Sequence, residues 1–223
     1  LADSIDAAKV LALRKQFPDY TFVCYINTTA EVKAECDVCI TSSNVYNVIE
    51  RIPNEKIYFL PDKFMGQNLI NEMKARGVKK NIEFYDGICY VHEEYDPEQI
   101  HRIRLEYPGA KIVSHPECQP AVLQESDFVG STSQMLKYME TAEAKEFLML
   151  TECGLSSRLQ VEFPDKKFVG SCTLCRYMKS NTLRDILRVL KQPTQRDRVI
   201  IEPKVRDRAL KCIEQMFYYA EMN

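Results

Sequence analysis

Thr21-Phe22-Val23-Cys24-Tyr25-Ile26-Asn27 and Lys111-Ile112-Val113-Ser114-His115-Pro116-Glu117 decide the reading of this chain, because the second stretch lies 90 residues after the first and follows the same plan. Each is a β-branched and aromatic run that ends in polar residues, the pattern of a buried strand. Working outward, residues 13–62 lie without a gap over residues 103–152. Arg14 meets Arg104, Pro18 meets Pro108, Val23 meets Val113, Asp37 meets Asp127 and Ser43 meets Ser133, while Phe17 faces Tyr107 and Asp62 faces Glu152. A shared order of strand, turn and helix over this length is the signature of a duplicated unit.

Further apolar runs at 38–40, 57–60, 88–92, 128–129, 147–150 and 167–169 read as strands, and helical spacing marks 6–17, 44–51, 64–76, 97–107, 133–140 and 183–190. Strands alternating with helices predict an α/β fold of three-layer αβα units with small parallel sheets. Ligands of such sheets sit at the carboxyl ends of the strands. There the repeat pairs Tyr25 with His115, Asn27 with Glu117, Thr41 with Ser131, Ser42 with Thr132 and, at an offset of 86, Cys89 with Cys175.

The 223 residues are 45% hydrophobic, enough for a substantial core, and carry a formal charge of −2 with both signs interspersed. No basic footprint for nucleic acid or an anionic membrane appears, and no apolar run approaches the ~20 residues of a spanning helix. A small-molecule partner and a cytoplasmic location are expected. The chain starts at Leu1 without an initiator Met and shows no secretory pattern in residues 1–20.

Nine cysteines do not suit a secreted disulfide scaffold in a chain of this kind; cytosolic thiols, small buried hydrophobes or metal ligands fit better. Cys36-Asp37-Val38-Cys39 and Cys172-Thr173-Leu174-Cys175 are two CxxC pairs, the raw material of a zinc site. They are separated by well over a hundred residues, and Cys39 falls inside a strand. Cys172 with Cys175 is also compatible with a redox pair. Gly87-Ile88-Cys89-Tyr90-Val91-His92 sets a Cys and a His three apart. In His115-Pro116-Glu117-Cys118, Pro116 keeps a His and a Glu on an extended stretch where they could act as acid, base or substrate clamp. Thr41-Ser42-Ser43-Asn44 and Gly130-Ser131-Thr132-Ser133 open helices with hydroxyls and free N–H groups, as ordinary caps or as anchors for a phosphate or carboxylate.

In order and spacing, Tyr25-Ile26-Asn27-Thr28-Thr29-Ala30-Glu31-Val32-Lys33-Ala34, the Thr41-Ser42-Ser43-Asn44 turn, Cys89 with His92, His115-Pro116-Glu117-Cys118, Gly130-Ser131-Thr132 and Cys175 with Met178-Lys179 resemble the quinolinate synthase family along almost the whole chain. That resemblance implies a transferase of NAD biosynthesis that condenses iminoaspartate with dihydroxyacetone phosphate. It also implies a pseudo-threefold assembly whose three units each give one cysteine to a 4Fe-4S cluster acting as a Lewis acid. Cys89 and Cys175 match two of the ligands. Substrate roles carry over to Tyr25, Asn27, Ser42, His92, His115, Glu117, Ser131 and Thr132, with Glu117, Tyr25 and His115 the catalytic candidates.

The resemblance also implies that the family's first unit is largely missing, since Leu1-Ala2-Asp3-Ser4-Ile5 is similar to the residues that follow its first cluster cysteine. The third ligand is therefore expected just upstream of Leu1. Residues 1–90 and 91–169 would be the second and third units. Residues 170–223 would carry the last ligand and helices, including the stripe Val205, Ala209, Cys212, Ile213, Met216, Phe217 and Ala220, packing on the absent unit. Two other readings stand beside this one: a zinc or thiol module built from the CxxC pairs, and a cluster-free α/β enzyme acting on a sugar phosphate.

Overall fold

Continuous apolar strands separated by helices can bury both faces of a sheet only if helices cover both, and the chain does this twice. The computed structural model describes residues 1–170 and 172–222. In the first unit β1 (Thr21–Tyr25), β2 (Val38–Ile40), β3 (Lys56–Leu60) and β4 (Asn81–Phe84) form a sheet in the order β2-β1-β3-β4. In the second, β5 (Lys111–Ser114), β6 (Phe128–Val129), β7 (Glu146–Leu150) and β8 (Lys167–Phe168) repeat that order as β6-β5-β7-β8. All six strand pairs are parallel. The helices are α1 (Ala7–Gln16), α2 (Ala30–Ala34), α3 (Val45–Arg51), α4 (Lys63–Ala75), α5 (Tyr90–Glu93), α6 (Pro97–Glu106), α7 (Pro120–Gln124), α8 (Thr132–Thr141), α9 (Cys153–Glu162), α10 (Leu183–Lys191) and α11 (Pro203–Glu221).

The register repeats as well as the order. Val23 pairs with Val38 and Phe59, and Val113 pairs with Phe128 and Met149, each partner 90 residues on. At the fourth strand the step changes: Lys56 faces Asn81 but Glu146 faces Lys167, which is 86 residues after Asn81. The connecting helix is shorter in the second unit, 10 residues in α9 against 13 in α4. The 86-residue spacing of Cys89 and Cys175 is therefore the ninety-residue repeat after one contraction.

Alternate side chains of each strand point to opposite faces. In β2, Val38 and Ile40 join a core with Val45, Ile49, Phe59 and Leu69, while Cys39 joins one with Val10, Phe22, Leu60 and Met216 on the other face. The second sheet is likewise covered on two sides, by cores around Ile100, Ile112 and Leu150 and around Val113, Met135 and Phe147.

Two expectations differ from the structure. Residues 88–92 are not a strand: Cys89 is the N-cap of α5, and the edge position beside β3 belongs to β4. A short apolar run cannot be assigned by periodicity alone, and here the Asp62 carboxylate captures the Cys89 amide at 2.7 Å. The stripe of the final helix is directed inward on this chain. Ala209, Cys212 and Met216 are buried, with Cys212 and Met216 packing on the first unit, and Arg51 donates to the carbonyls of Tyr219 and Ala220 at 3.0 and 2.8 Å, a cation at a helix C-terminus. By contrast, α10 leaves Leu183, Leu187 and Leu190 exposed.

Gly66 in α4 lies so close to β4 that a methyl group there would stand 2.8 Å from Cβ of Phe84. Gly66→Ala is expected to lose stability by ~1–3 kcal/mol through overpacking, despite the better helix propensity of Ala. Urea unfolding of the two proteins, compared at equal m-value, measures it.

Candidate metal centre and active site

The strand ends of the two units converge on a cavity of about 690 Å³ whose lining includes Asn27, Cys89, His92, Glu117, Glu152 and Cys175. The chain holds these residues by satisfying backbone groups that would otherwise be orphaned where strands stop and helices begin. Asp62 ends the loop after β3: its Oδ1 accepts from Met65 N at 3.0 Å, capping α4, and its Oδ2 accepts from Cys89 N. Its repeat partner Glu152, after β7, does the same work. Oε2 accepts from Gly154 N at 2.6 Å at the start of α9, and Oε1 accepts from Cys175 N at 3.3 Å. Equivalent carboxylates thus position equivalent cysteines. Lys179 Nζ stands 3.5 Å from Glu152 Oε1. Asp62 is fully buried, and burial followed by the charge of Glu117 pushes its pKa up to about 7.

Glu117 lies at the centre of the polar cluster. Its Oε2 has His115 Nδ1 at 3.1 Å, the Tyr25 hydroxyl at 3.5 Å and His92 Nδ1 at 3.6 Å. The two imidazoles stack at 4.7 Å, and His92 Nε2 lies 3.4 Å from the Thr151 hydroxyl. Burial pushes the Glu117 carboxyl up, but the His115 hydrogen bond, the nearby imidazoles and the Tyr25 hydroxyl outweigh it and hold the group below its usual value. Burial pulls His92 down to about 4, so its ring is neutral near neutrality. Burial, and then the Glu117 charge, raise the Tyr25 phenol and push the Cys89 thiol up to about 12. Two buried atoms of this network, Glu117 Oε1 and His92 Nδ1, have no hydrogen-bond partner among the described residues.

Ligand atoms of Cys89, His92 and Glu117 lie within 4.8 Å of one another, a sulfur, nitrogen and oxygen set able to hold a metal ion. Cys175 reaches the same cavity from the opposite side of the repeat, in the segment that follows β8. Tyr25 and His115 act on Glu117 from β1 and from the end of β5. The hydroxyl turns fall elsewhere. Ser42 lines a neighbouring groove with Gly130 and Gln134, Ser131 is buried in a capping box with Gln134, and Thr132 is exposed in the first turn of α8.

Sequence reasoning missed the clamp carboxylates, although their signal was present in the repeat match of Asp62 with Glu152. It also missed Lys33, a buried lysine whose Nζ donates to the carbonyls of Ile26 and Thr28 and so braces the turn that presents Asn27. Cys172 is bonded to Cys153 in a disulfide with Cα atoms 5.2 Å apart. The isolated bridge between Glu152 and Thr173 brings those two segments together.

Fold and site together define an α/β protein of repeated parallel αβα units with a thiol, imidazole and carboxylate centre at its strand ends. Residues 1–218 match the family profile of the quinolinate synthetase A protein (NadA), and the chain belongs to that family. It is 38% identical to quinolinate synthase 2 of Mesorhizobium japonicum over 97% of this chain and 64% of that protein. It is 37% identical to the quinolinate synthase of Clostridioides difficile over 99% and 71%, and 38% identical to that of Caldicellulosiruptor bescii over 97% and 70%. The chain spans about three fifths to seven tenths of the length of the curated relatives it matches. Among the described residues, no helix is long and apolar enough to cross a membrane.

If Asp62 holds both the α4 start and the Cys89 segment, Asp62→Ala should cost ~1–3 kcal/mol from a lost cap and an unsatisfied buried amide, with Asp62→Asn milder. Hydrogen exchange at the Cys89 amide, read beside urea unfolding, should accelerate in the Ala variant; unchanged exchange would show that the clamp is not what orders this segment.

Proposed function

We propose that this chain forms the greater part of a quinolinate synthase, a cytoplasmic transferase of NAD biosynthesis that condenses iminoaspartate with dihydroxyacetone phosphate. The observation that carries the reading is Glu117: a buried carboxylate, favoured in its ionised form, that lines the cavity and has one oxygen without a hydrogen-bond partner among the described residues. Such a group is placed to take protons from substrate carbon or oxygen in enolisation and dehydration steps. Tyr25 and His115, bonded to its other oxygen, hold that carboxylate in one orientation and can hold substrate oxygens being shifted or lost. His92 and Asn27 complete the substrate wall. Ser42, with Ser131 and Thr132 at the start of the equivalent helix, is proposed to anchor the phosphate.

Cys89 and Cys175 fit two attachment points of a 4Fe-4S cluster, since both thiols reach one cavity and their backbone amides are held by the repeat-related clamps. When bound, the cluster would supply Lewis-acid polarisation of substrate oxygens through an open iron position. Two thiolates are fewer than such a cluster needs, so a third cysteine is proposed in a further unit preceding Leu1. In the proposed division residues 1–90 and 91–169 are two of three units, and residues 170–223 carry Cys175 and present the exposed leucines of α10 to that further unit. Burial and the Glu117 charge keep the Cys89 thiol protonated near neutrality, so iron bound there would release its proton.

Glu117→Gln tests the base. In the chain extended to the length of its relatives it is expected to lower turnover at least ~10²-fold, the lower bound for a lost general base, while iron and sulfide content stay unchanged; retention of most activity would remove the role. The cluster assignment is read separately. Cys89→Ser and Cys175→Ser should each abolish bound iron and sulfide in the extended protein, and Cys118→Ala should not. For the phosphate anchor, Ser42→Ala is expected to weaken use of dihydroxyacetone phosphate by ~1.5–3 kcal/mol, as for a hydrogen bond to a charged group, seen as a raised KM for that substrate alone.

A further inference from the structure

Two polar atoms are left over where the strands end. Glu117 Oε1 and His92 Nδ1 have no hydrogen-bond partner among the described residues, on side chains that are only 3% and 7% exposed. An unpaired polar atom at this depth is unfavourable unless a ligand completes it. The Thr151 hydroxyl, 3.4 Å from His92 Nε2, can accept the ring proton there, which leaves a lone pair on Nδ1. A carboxylate oxygen and an imidazole nitrogen so placed are both electron-pair donors, and what would satisfy both is a cation.

A third donor stands with them. Cys89 is a free thiol at the N-cap of α5, and His92 lies three residues on in the single turn of that helix, a spacing that makes neighbours on a helix surface. Glu117 arrives from beyond the end of β5. One ligand atom from each of the three lies within 4.8 Å of the others, the one set of three so arranged among the described residues. Each is oriented from behind: Asp62 accepts from the Cys89 amide at 2.7 Å, His115 Nδ1 and the Tyr25 hydroxyl hold the other Glu117 oxygen at 3.1 and 3.5 Å, and Thr151 faces the His92 ring. Outer contacts of this kind fix metal ligands in one orientation.

Metal–nitrogen and metal–oxygen bonds of about 2.0–2.2 Å put two such atoms about 3.4 Å apart on a tetrahedral ion, and His92 Nδ1 is 3.6 Å from Glu117 Oε2. One sulfur, one nitrogen and one oxygen suit a borderline cation, whereas Mg²⁺ and Ca²⁺ take oxygen. All three residues line the cavity of about 690 Å³, which leaves room for a fourth ligand, water or a small anion.

We propose that Cys89, His92 and Glu117 hold one divalent cation of the Zn²⁺ type, a mononuclear site with an open coordination position on the cavity. The Cys89 proton leaves to solvent as the metal–sulfur bond forms, and no electron changes hands. The site uses these three side chains and not Cys175, so it does not rest on the cluster reading. Because it takes the Cys89 sulfur, the ion is an alternative to a cluster there, not an addition to it.

The test uses the full 223-residue chain, freed of metal and kept under argon. Titration with Co²⁺ is expected to give one equivalent of ligand-field bands with charge transfer from a single thiolate, displaced by Zn²⁺. Cys175→Ser should leave the bands in place. His92→Ala and Glu117→Gln should weaken binding by more than ~100-fold, and His115→Ala, which removes a contact behind Glu117, by ~10–100-fold. A folded chain without these bands, bands that survive Cys89→Ser, or equal affinity in His92→Ala and Glu117→Gln would overturn the site. Should a substitution unfold the chain, X-ray absorption of the unmutated zinc form decides. One sulfur at about 2.3 Å with nitrogen and oxygen neighbours at about 2.0–2.2 Å is expected; a shell with no sulfur, or with two or more, would overturn the proposal.

Discussion

A carboxylate that accepts two backbone N–H groups at once, one at a helix start and one on a distant segment, is the constraint on which the site depends. Asp62 and Glu152 each accept two such hydrogen bonds, and each leads to a cysteine. Parallel sheets leave the carboxyl ends of their strands as loops, where backbone groups lack ladder partners and must be satisfied otherwise. The chain solves this in the same way in both units. The cysteines therefore sit where the clamp puts them, although the connecting helices differ in length by three residues.

Around Glu117 the balance is electrostatic. A lone ionised carboxylate at this depth would be costly, and the tyrosine and two imidazoles that surround it stabilise the charge through one oxygen. The other oxygen and one ring nitrogen of His92 have no hydrogen-bond partner among the described residues, a cost that a folded protein tolerates where a ligand completes the network. Both units contribute: Tyr25 comes from β1 and Glu117 from the end of β5, so the polar centre exists only when the two sheets are docked. Asn68 in α4, which donates to the Pro116 and Cys118 carbonyls at 2.9 and 2.8 Å, fastens that junction.

The cysteines separate into environments with different chemistry. Cys89 and Cys175 face the cavity, Cys153 and Cys172 are bonded to each other, Cys118 is buried alone beside the Leu150 carbonyl, and the remaining four share the α11 side of the first sheet. Sequence spacing alone groups them otherwise, as two CxxC pairs. Those pairs do not meet, because Cys36 precedes and Cys39 lies within β2, the edge strand of the first sheet, and Cys175 follows the last strand of the other sheet.

The α/β class, the duplication and the strand-end position of Tyr25, Asn27, His115 and Glu117 were legible in the sequence. Burial on both sheet faces imposes apolar runs, and a repeated fold repeats its polar interruptions. The resemblance of motifs to the family was legible for the same reason. Partnership across long separations was not legible: that Tyr25 reaches Glu117, that Cys212 reaches Cys24, that Cys153 bonds Cys172 and that the apolar stripe of α11 closes on this chain. Residues 88–92 show the limit most clearly, since their composition suits a strand while the Asp62 carboxylate, 27 residues away, holds the Cys89 amide at a helix start. Local composition determined which elements form and which residues end them; the docking of two sheets decided which ends meet, because hydrogen bonds and charge act over a few ångströms in space without regard to distance along the chain.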